Sequence, residues 1–206
     1  MKPDQKFNKL ASDKTIAKTV KSLERNGIKA IVIENGGEAK KKVLSILPEG
    51  AEVFTMTSQT TEVINLAKEI NESKRYNSVR NKLMAMDRNT QGREMAKLGS
   101  SPEFVVGSVQ AVTEDGQLLI ASATGSQLSA EAYGGGKVIF VVGTQKIVKD
   151  TTEGLRRIYE YSYPLEDERA QKAYGMRSSV SKILIINKEI MPDRITVILV
   201  KENLGF

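Results

Sequence analysis

The sequence predicts an α/β fold in which a mostly parallel sheet is flanked by helices, with a β-hairpin and a helical insert. Short apolar segments alternate with amphipathic ones of helical length, the rhythm of β-α-β units with right-handed crossovers. Asp115-Gly116 stands between two apolar runs, which is a strong hairpin signal. With 206 residues and 40% hydrophobic content, the chain can bury a large core. We expect one α/β domain over residues 1–206, with the insert at residues 74–100.

The first half begins with a predicted helix over residues 13–26. Ile16, Val20 and Leu23 form its apolar stripe, Ser12 or Asp13 caps it, and Gly27 ends it. Buried strands are expected next at residues 29–34 and 51–56, and helices at residues 38–47 and 60–72.

The insert is charged and helix-forming, and Gly92 is a candidate break in it. Its methionines, Met84 and Met86, suit either a pliable binding surface or ordinary packing. After the insert, residues 104–113 and 117–122 should form the hairpin, with a type I′ turn at Asp115-Gly116 that needs positive φ twice. The remaining expected elements are strands at residues 137–142, 182–186 and 195–200, and helices at residues 151–161 and 165–174.

Two residue types are absent, and their absence excludes several kinds of chemistry. Without cysteine there is no disulfide, thiolate nucleophile or Cys-ligated cluster, which suits a reducing cytosol. Without histidine, Ser-His-Asp catalysis and histidine-based zinc sites are excluded as well. We therefore expect no metal and no cofactor, and any proton transfer has to use Asp, Glu, Lys, Tyr or water.

Charge and hydropathy limit the partners. No apolar run approaches the roughly 20 residues that span a bilayer, so a soluble cytoplasmic protein without membrane contact is expected. The net charge of +6 arises before residue 104, where 19 basic residues face 13 acidic ones, against 12 and 12 afterwards. Acidic residues interleave with the basic ones and aromatics make up only 5%, which argues against nucleic acid. Solvated lysine faces or attraction of small anionic metabolites explain the charge instead.

Two hydroxyl-rich turns are candidate anion sites. Thr57, Ser58 and Thr60 join a strand's carboxyl end to a helix start, where open parallel sheets bind ligands. The alternative is plain N-capping by Ser58 or Thr60. The second turn precedes an expected helix over residues 127–133 and offers hydroxyls and backbone N–H groups to an anion. Its members are Thr124, Gly125, Ser126 and Gln127.

The chain resembles the lactate-utilization (LUD) domain family. Residues 111–120, AVTEDGQLLI, carry the likeness, together with the turn at 55–61, TMTSQTT, and residues 141–148, VVGTQKIV. The resemblance covers most of the chain. It implies the fold shared by ribose-5-phosphate isomerase, glucosamine-6-phosphate deaminase and coenzyme A transferase.

The resemblance also implies a function. It points to an accessory or substrate-handling subunit of lactate or organic-acid utilization, which binds a small anionic or phosphorylated ligand beside an iron–sulfur partner protein. A homodimer is expected from the fold class. Two alternatives stay open: an independent enzyme of acyl-CoA or sugar-phosphate chemistry, and a non-catalytic ligand-sensing or assembly module.

Glu114 is the candidate catalytic residue of the enzyme alternative. In coenzyme A transferases a glutamate beside a glycine-containing turn attacks the acyl-CoA carbonyl, and residues 113–116, TEDG, are similar to that motif. A carboxylate can form an acyl anhydride without help from Cys or His. Glu114 equally suits a non-covalent ligand contact or a solvated turn position.

Two further segments contribute candidate ligand-binding residues. Gly134, Gly135, Gly136 and Lys137 resemble the glycine-rich strand entry of ribose-5-phosphate isomerase, where a lysine meets the sugar phosphate. The glycines also suit close approach of two backbone segments, and Lys137 also suits an outward position. Lys146 follows the next strand and is either an anion ligand or a turn lysine.

Overall fold

The main sheet of the protein is entirely parallel. A computed structural model describes residues 2–206, and its six-stranded sheet has the order β1-β10-β7-β4-β2-β3. The strand β7 lies near the middle because its run of apolar side chains is buried on both faces. The strands are β1 (Lys29–Ile33), β2 (Glu52–Thr55), β3 (Asn77–Ser78), β4 (Phe104–Gly107), β7 (Lys137–Gly143) and β10 (Ile195–Val200).

A second, four-stranded sheet packs beside the first. Its order is β8-β5-β6-β9, with β5 antiparallel to β6, β6 antiparallel to β9, and β5 parallel to β8. Its strands are β5 (Ala111–Thr113), β6 (Leu118–Ser122), β8 (Ile147–Val148) and β9 (Lys182–Ile186). The predicted fold class, a mostly parallel sheet flanked by helices, is confirmed.

The helices cover both faces of the main sheet and one face of the second. As predicted, Ser12 caps the first helix by accepting a hydrogen bond from the Thr15 backbone N–H. None of the helices within residues 2–206 is long and apolar enough to cross a membrane. The helices are α1 (Asp13–Arg25), α2 (Gly36–Ile46), α3 (Gln59–Val63), α4 (Leu66–Glu72), α5 (Val79–Met84), α6 (Arg88–Ser100), α7 (Thr151–Arg157) and α8 (Tyr163–Tyr174).

The sequence prediction of helix boundaries was wrong in two places. The expected helix at 60–72 is broken, because Asn65 adopts a left-handed conformation (φ 52°) that asparagine tolerates better than most residues. Conversely, α7 runs into α8 without a gap through the wider turn Ile158–Ser162. Pro164 then stands in the first turn of α8, where a missing backbone N–H is harmless.

The predicted hairpin is confirmed, although its turn is not type I′. The backbone N–H of Gly116 donates to the Thr113 carbonyl, so Glu114 and Asp115 are the central residues. Only Gly116 has positive φ, at 82°, and it forms a bulge beside the turn. The first predicted arm is also divided, since β4 belongs to the main sheet and only β5 pairs with β6.

Two hydrophobic cores lie on opposite faces of the main sheet. Along β7, Val138, Phe140 and Val142 point into one core, whereas Ile139 and Val141 point into the other. Because the strand is uniformly apolar, its sequence does not show this alternation. Packing of side chains into both cores fixes the strand in place. Their carboxyl ends meet at one edge, where the second sheet begins, and this edge holds the candidate site.

Candidate functional site

A cavity of about 280 Å³ lies at the carboxyl ends of the central strands. Its walls come from residues 56–59 after β2, residues 108–110 after β4, and Lys146 after β7. The end of β6 and the segment after α8 close the other side. Open parallel sheets bind ligands at this edge.

Lys146 is a fully buried lysine on the cavity wall. Only 1% of it is exposed, and Nζ donates to Thr60 Oγ1 (2.9 Å), Ser108 Oγ (3.1 Å) and the Phe206 main-chain oxygen (3.2 Å). Burial, and secondly the charge of Arg157, hold the pKa of Lys146 well below its usual value. Lys146, which the sequence analysis names as a candidate ligand-binding residue, therefore lines the cavity.

The turn after β2 contributes hydroxyls but no side-chain helix cap. Ser58 lines the cavity and precedes α3 without making a side-chain capping bond. Thr60 is completely buried outside the cavity, where Oγ1 donates to the Leu204 carbonyl and accepts from Lys146. Thr57 lines the cavity, and its Oγ1 accepts from Arg80 at 3.1 Å. The turn therefore positions Lys146 as well as part of the wall.

Arg157 is a second buried cation, directly behind the cavity. It is completely buried, and its Nη1 donates to the Gln110 carbonyl and, at 3.0 Å, to Ser162 Oγ. Gln110 and Ser162 themselves line the cavity. The Nε and Nη2 atoms have no hydrogen-bond partner, and burial lowers the pKa of Arg157 to about 10. The guanidinium lies over the Tyr161 ring, 5.0 Å from its centroid.

Glu131 is a buried carboxyl group that faces the same cavity. It lies in the π-helical turn Ala130–Gly134, is 1% exposed, and leaves Oε2 without a hydrogen-bond partner. Burial raises its pKa to about 8, so the neutral acid predominates at pH 7. Gly107 at the end of β4 leaves room for the neighbouring Met56 side chain, since a Cβ there would lie 3.0 Å from Met56 Cγ and at an ordinary contact distance of 3.8 Å from Glu131 Oε1.

The second predicted hydroxyl turn forms the rim of the cavity. Thr124, Ser126 and Gln127 line it, whereas Gly125 turns the chain at φ 82°. Ser122 Oγ holds the loop by accepting from the Gly125 N–H at 2.8 Å. Helical structure follows from residue 128 rather than 127.

The outer wall comes from α8 and the segment after it. Arg169 forms a two-bonded ion pair with Glu166, with both N–O distances 2.7 Å, and lies over the Tyr174 ring. These three residues line the cavity together with Ser178 and Ser179. Among residues 2–206 no three His, Cys, Asp or Glu side chains cluster as metal ligands. The site thus combines cations, a neutral acid and hydroxyls.

Comparison with known proteins places this chain within a family. The model of the LUD domain matches residues 16–200. The chain belongs to the LUD domain family. The resemblance noted in the sequence is therefore confirmed, and Lys146, Glu131 and Arg157 all fall within the matched part of this LUD protein.

One solved structure supports the fold, and two others show weaker similarity. A DUF162 family protein from Deinococcus radiodurans shares 12% identity and a TM-score of 0.58, covering 93% of this chain and 99% of its own. The beta subunit of eIF2B from Chaetomium thermophilum has 18% identity and a TM-score of 0.39, covering 59% of this chain and 42% of its own. Its delta subunit has 14% identity and a TM-score of 0.35, with 70% and 57% covered. Among curated proteins, none matches the sequence.

Glu114 lies away from the cavity of this LUD protein. Its carboxylate pairs with Lys18 Nζ on α1 at 2.8 Å, and it lines neither this cavity nor the groove beside it. An acyl substrate in the cavity would therefore not meet Glu114, and the carboxylate has no place in the proposed function.

The glycine-rich strand entry is also remote from the cavity. A Cβ on Gly135 would lie 2.7 Å from the Ala130 carbonyl oxygen, and one on Gly136 would lie 2.8 Å from the Glu103 carbonyl oxygen. Gly134 similarly abuts the Ser100 backbone. The glycines thus permit backbone packing, and the exposed Lys137 begins β7 at the opposite end from the cavity.

Sequence reasoning missed the two most unusual charged groups. Glu131 and Arg157 stand in helical segments among ordinary polar residues, and no local motif marks them. One signal was available: at helical spacing, Arg157 lies on the same face as Gly154, Ile158 and Tyr161. Glu131 offers no comparable signal, because its burial depends on packing against β4.

Proposed function

We propose that this LUD protein binds a small anionic metabolite, a carboxylate or a phosphate, in the cavity at the sheet's carboxyl edge. The observation that carries the proposal is the pair Lys146 and Arg157. Both are completely buried, and within residues 2–206 neither forms an ion pair with an aspartate or glutamate side chain. Burying a cation without a counter-charge is costly, so an anion at this place would favour the protonated form of Lys146 and gain electrostatic stabilisation.

The neutral acid supports the same proposal. Glu131 is a carboxyl group on the wall of the same cavity, and its raised pKa keeps it mainly protonated at pH 7. A protonated carboxyl donates a hydrogen bond to an anion instead of repelling it. Hydroxyls of Ser108, Ser122 and Ser162 on the wall supply further donors.

An organic acid is the substrate class that the family supports. On that basis we propose a role in lactate or related organic-acid utilization, as an accessory or substrate-handling subunit beside an iron–sulfur partner. The chain has no cysteine, so any thiolate ligands of a cluster would belong to the partner.

Calorimetric titration with lactate, pyruvate, phosphate, sugar phosphates and coenzyme A thioesters tests the proposal. We expect one anion class to bind, and Lys146→Met to abolish that binding. Lys149→Met is the matched control, because Lys149 is exposed on the same connection and lines no cavity. Ser108→Ala, which removes one acceptor of the Lys146 ammonium, gives a milder variant with an intact buried lysine. Absence of binding by every class, or equal losses in K146M and K149M, would overturn the proposal.

A second candidate function is proton transfer on the bound acid. It is favoured by one observation: an acid with a raised pKa and a lysine with a lowered pKa line one cavity. Neutral Lys146 would remove a proton next to a carbonyl, and Glu131 would protonate the oxygen. Exchange of the pyruvate methyl protons in deuterated water tests this. Glu131→Gln should stop exchange while retaining pyruvate binding; exchange at the wild-type rate in that variant would exclude the mechanism.

A further inference from the structure

A second concavity, of about 750 Å³, adjoins the cavity beneath the helical insert. We name it the methionine groove. Its apolar lining includes Phe54 of the main sheet and, from α5, α6 and their connection, Leu83, Met84, Met86 and Met95. Met84 is 77% exposed, so its side chain is available to a ligand. Flexible thioether side chains adapt to apolar bodies of different shape.

The groove and the cavity form one continuous depression. Thr57, Thr124 and Ser126 line both and form a polar boundary between them. Arg80 of α5 contacts this boundary, since its Nη1 lies 3.1 Å from Thr57 Oγ1 and 3.4 Å from the Thr55 carbonyl oxygen. A three-carbon acid in the cavity would leave the whole groove empty, whereas sites of about 300–1,000 Å³ usually hold larger ligands.

The charged residues that line the groove are all basic. Arg80 and Arg88 line it, and no aspartate or glutamate does. Throughout residues 2–206, neither arginine has a carboxylate oxygen within 4.0 Å. The carboxylate of Asp87, the sequence neighbour of Arg88, accepts instead from the Asn89 backbone N–H and the Thr90 hydroxyl. The groove is therefore complementary to an apolar body that carries negative charge.

We propose that the ligand is an elongated dianion, with one anionic group in the cavity, an apolar middle in the methionine groove and a second anionic group at Arg80 and Arg88. This inference rests on the proposed function, because the first anionic group occupies the site of Lys146. It extends the substrate class from small acids to long diacids and to phosphorylated or carboxylated acyl compounds.

Straight-chain acids of increasing length provide the test. Calorimetry would compare monocarboxylates from butyrate to dodecanoate with the matching dicarboxylates from succinate to dodecanedioate. We expect the dicarboxylate to bind more tightly than the monocarboxylate once the chain reaches across the groove. Arg88→Gln should lower the affinity of the long dicarboxylate about two- to five-fold, the range of partly exposed ion pairs. The same substitution should leave the affinity for the monocarboxylates unchanged.

Arg93→Gln is the matched control, since Arg93 is exposed on the same helix and does not line the groove. Dicarboxylates that bind no better than monocarboxylates at any length would overturn the inference, as would equal effects of R88Q and R93Q. If short acids still bind and Lys146→Met abolishes that binding, the proposed function stands and only the dianion inference fails. If no acid of either series binds, the inference fails, and the proposed function is then decided by the titration with lactate, pyruvate, phosphate, sugar phosphates and coenzyme A thioesters. The wild-type chain-length comparison decides the question even where R88Q does not fold.

Discussion

Replacing Glu131 by glutamine tests the electrostatics of the site through stability alone. The side chain is 1% exposed, and burial raises its pKa from the ordinary 4.5 to about 8. Between these two values the folded state holds a proton that the unfolded state has released. The contribution of Glu131 to the free energy of unfolding must therefore fall as the pH rises through this window, and level off above about pH 8.

The magnitude follows from the two pKa values. Each unit of pKa difference corresponds to about 1.4 kcal/mol, so ionisation of this one carboxyl removes up to about 5 kcal/mol from the folded state. Glutamine has nearly the same shape and does not ionise. Glu131→Gln should match the wild type near pH 4.5 and exceed its stability by an increasing amount up to about pH 8.

Urea denaturation followed by circular dichroism, from about pH 5 to about pH 9, measures this difference. Glu49→Gln is the control, because Glu49 is exposed before β2 and its replacement should leave the pH dependence unchanged. Parallel pH profiles for the wild type and E131Q would refute the reasoning. That result would mean that the carboxyl ionises normally, through water or a counter-ion reaching the cavity.

Two further predictions concern ligand affinity and the hairpin. Anion affinity should fall as the pH rises through about 8, because Glu131 then ionises beside the bound anion; calorimetry should find a smaller fall in E131Q, where only Lys146 still loses its proton, and a fall of equal size there would exclude Glu131 as a source. Gly116→Ala should destabilise the protein by about 1–3 kcal/mol or more, because its φ is 82° and a Cβ would lie 2.6 Å from the Ser22 carbonyl carbon. Gly50→Ala, with φ 78° but nothing within 4 Å, should cost less in the same urea titration, and equal losses would contradict the steric argument.

The fold was predictable because its signals are local. Alternation of apolar and amphipathic segments located the strands at residues 182–186 and 195–200 with the bounds that the structure has. The errors arose where a backbone detail overrides periodicity. Asn65 breaks a helix by adopting positive φ, and the turn at 158–162 joins two helices despite Pro164.

The candidate site was predictable only where it follows strand ends. The turn at 57–60 was chosen because parallel strands bring their carboxyl ends to one edge, and Lys146 because it follows a strand in a segment similar to the LUD family; Thr57, Ser58 and Lys146 line the cavity. Lys137 and its glycines were chosen by likeness to another family, and lie at the other end of β7. Pairing of Glu114 with Lys18 of α1 spans 96 residues, and no spacing in the sequence reveals such a contact.

The charge distribution shows why counting residues does not locate an electrostatic site. The net charge of +6 arises entirely before residue 104, yet Lys146 and Arg157 belong to the second half, where 12 basic residues equal 12 acidic ones. Exposed lysines of the first half act through water and salt, so their potential decays within roughly 10 Å. The two buried cations act through protein, where the effective dielectric constant is several times lower. An anion therefore experiences the two buried charges more strongly than the larger number outside, and solution ionic strength should weaken its binding only modestly.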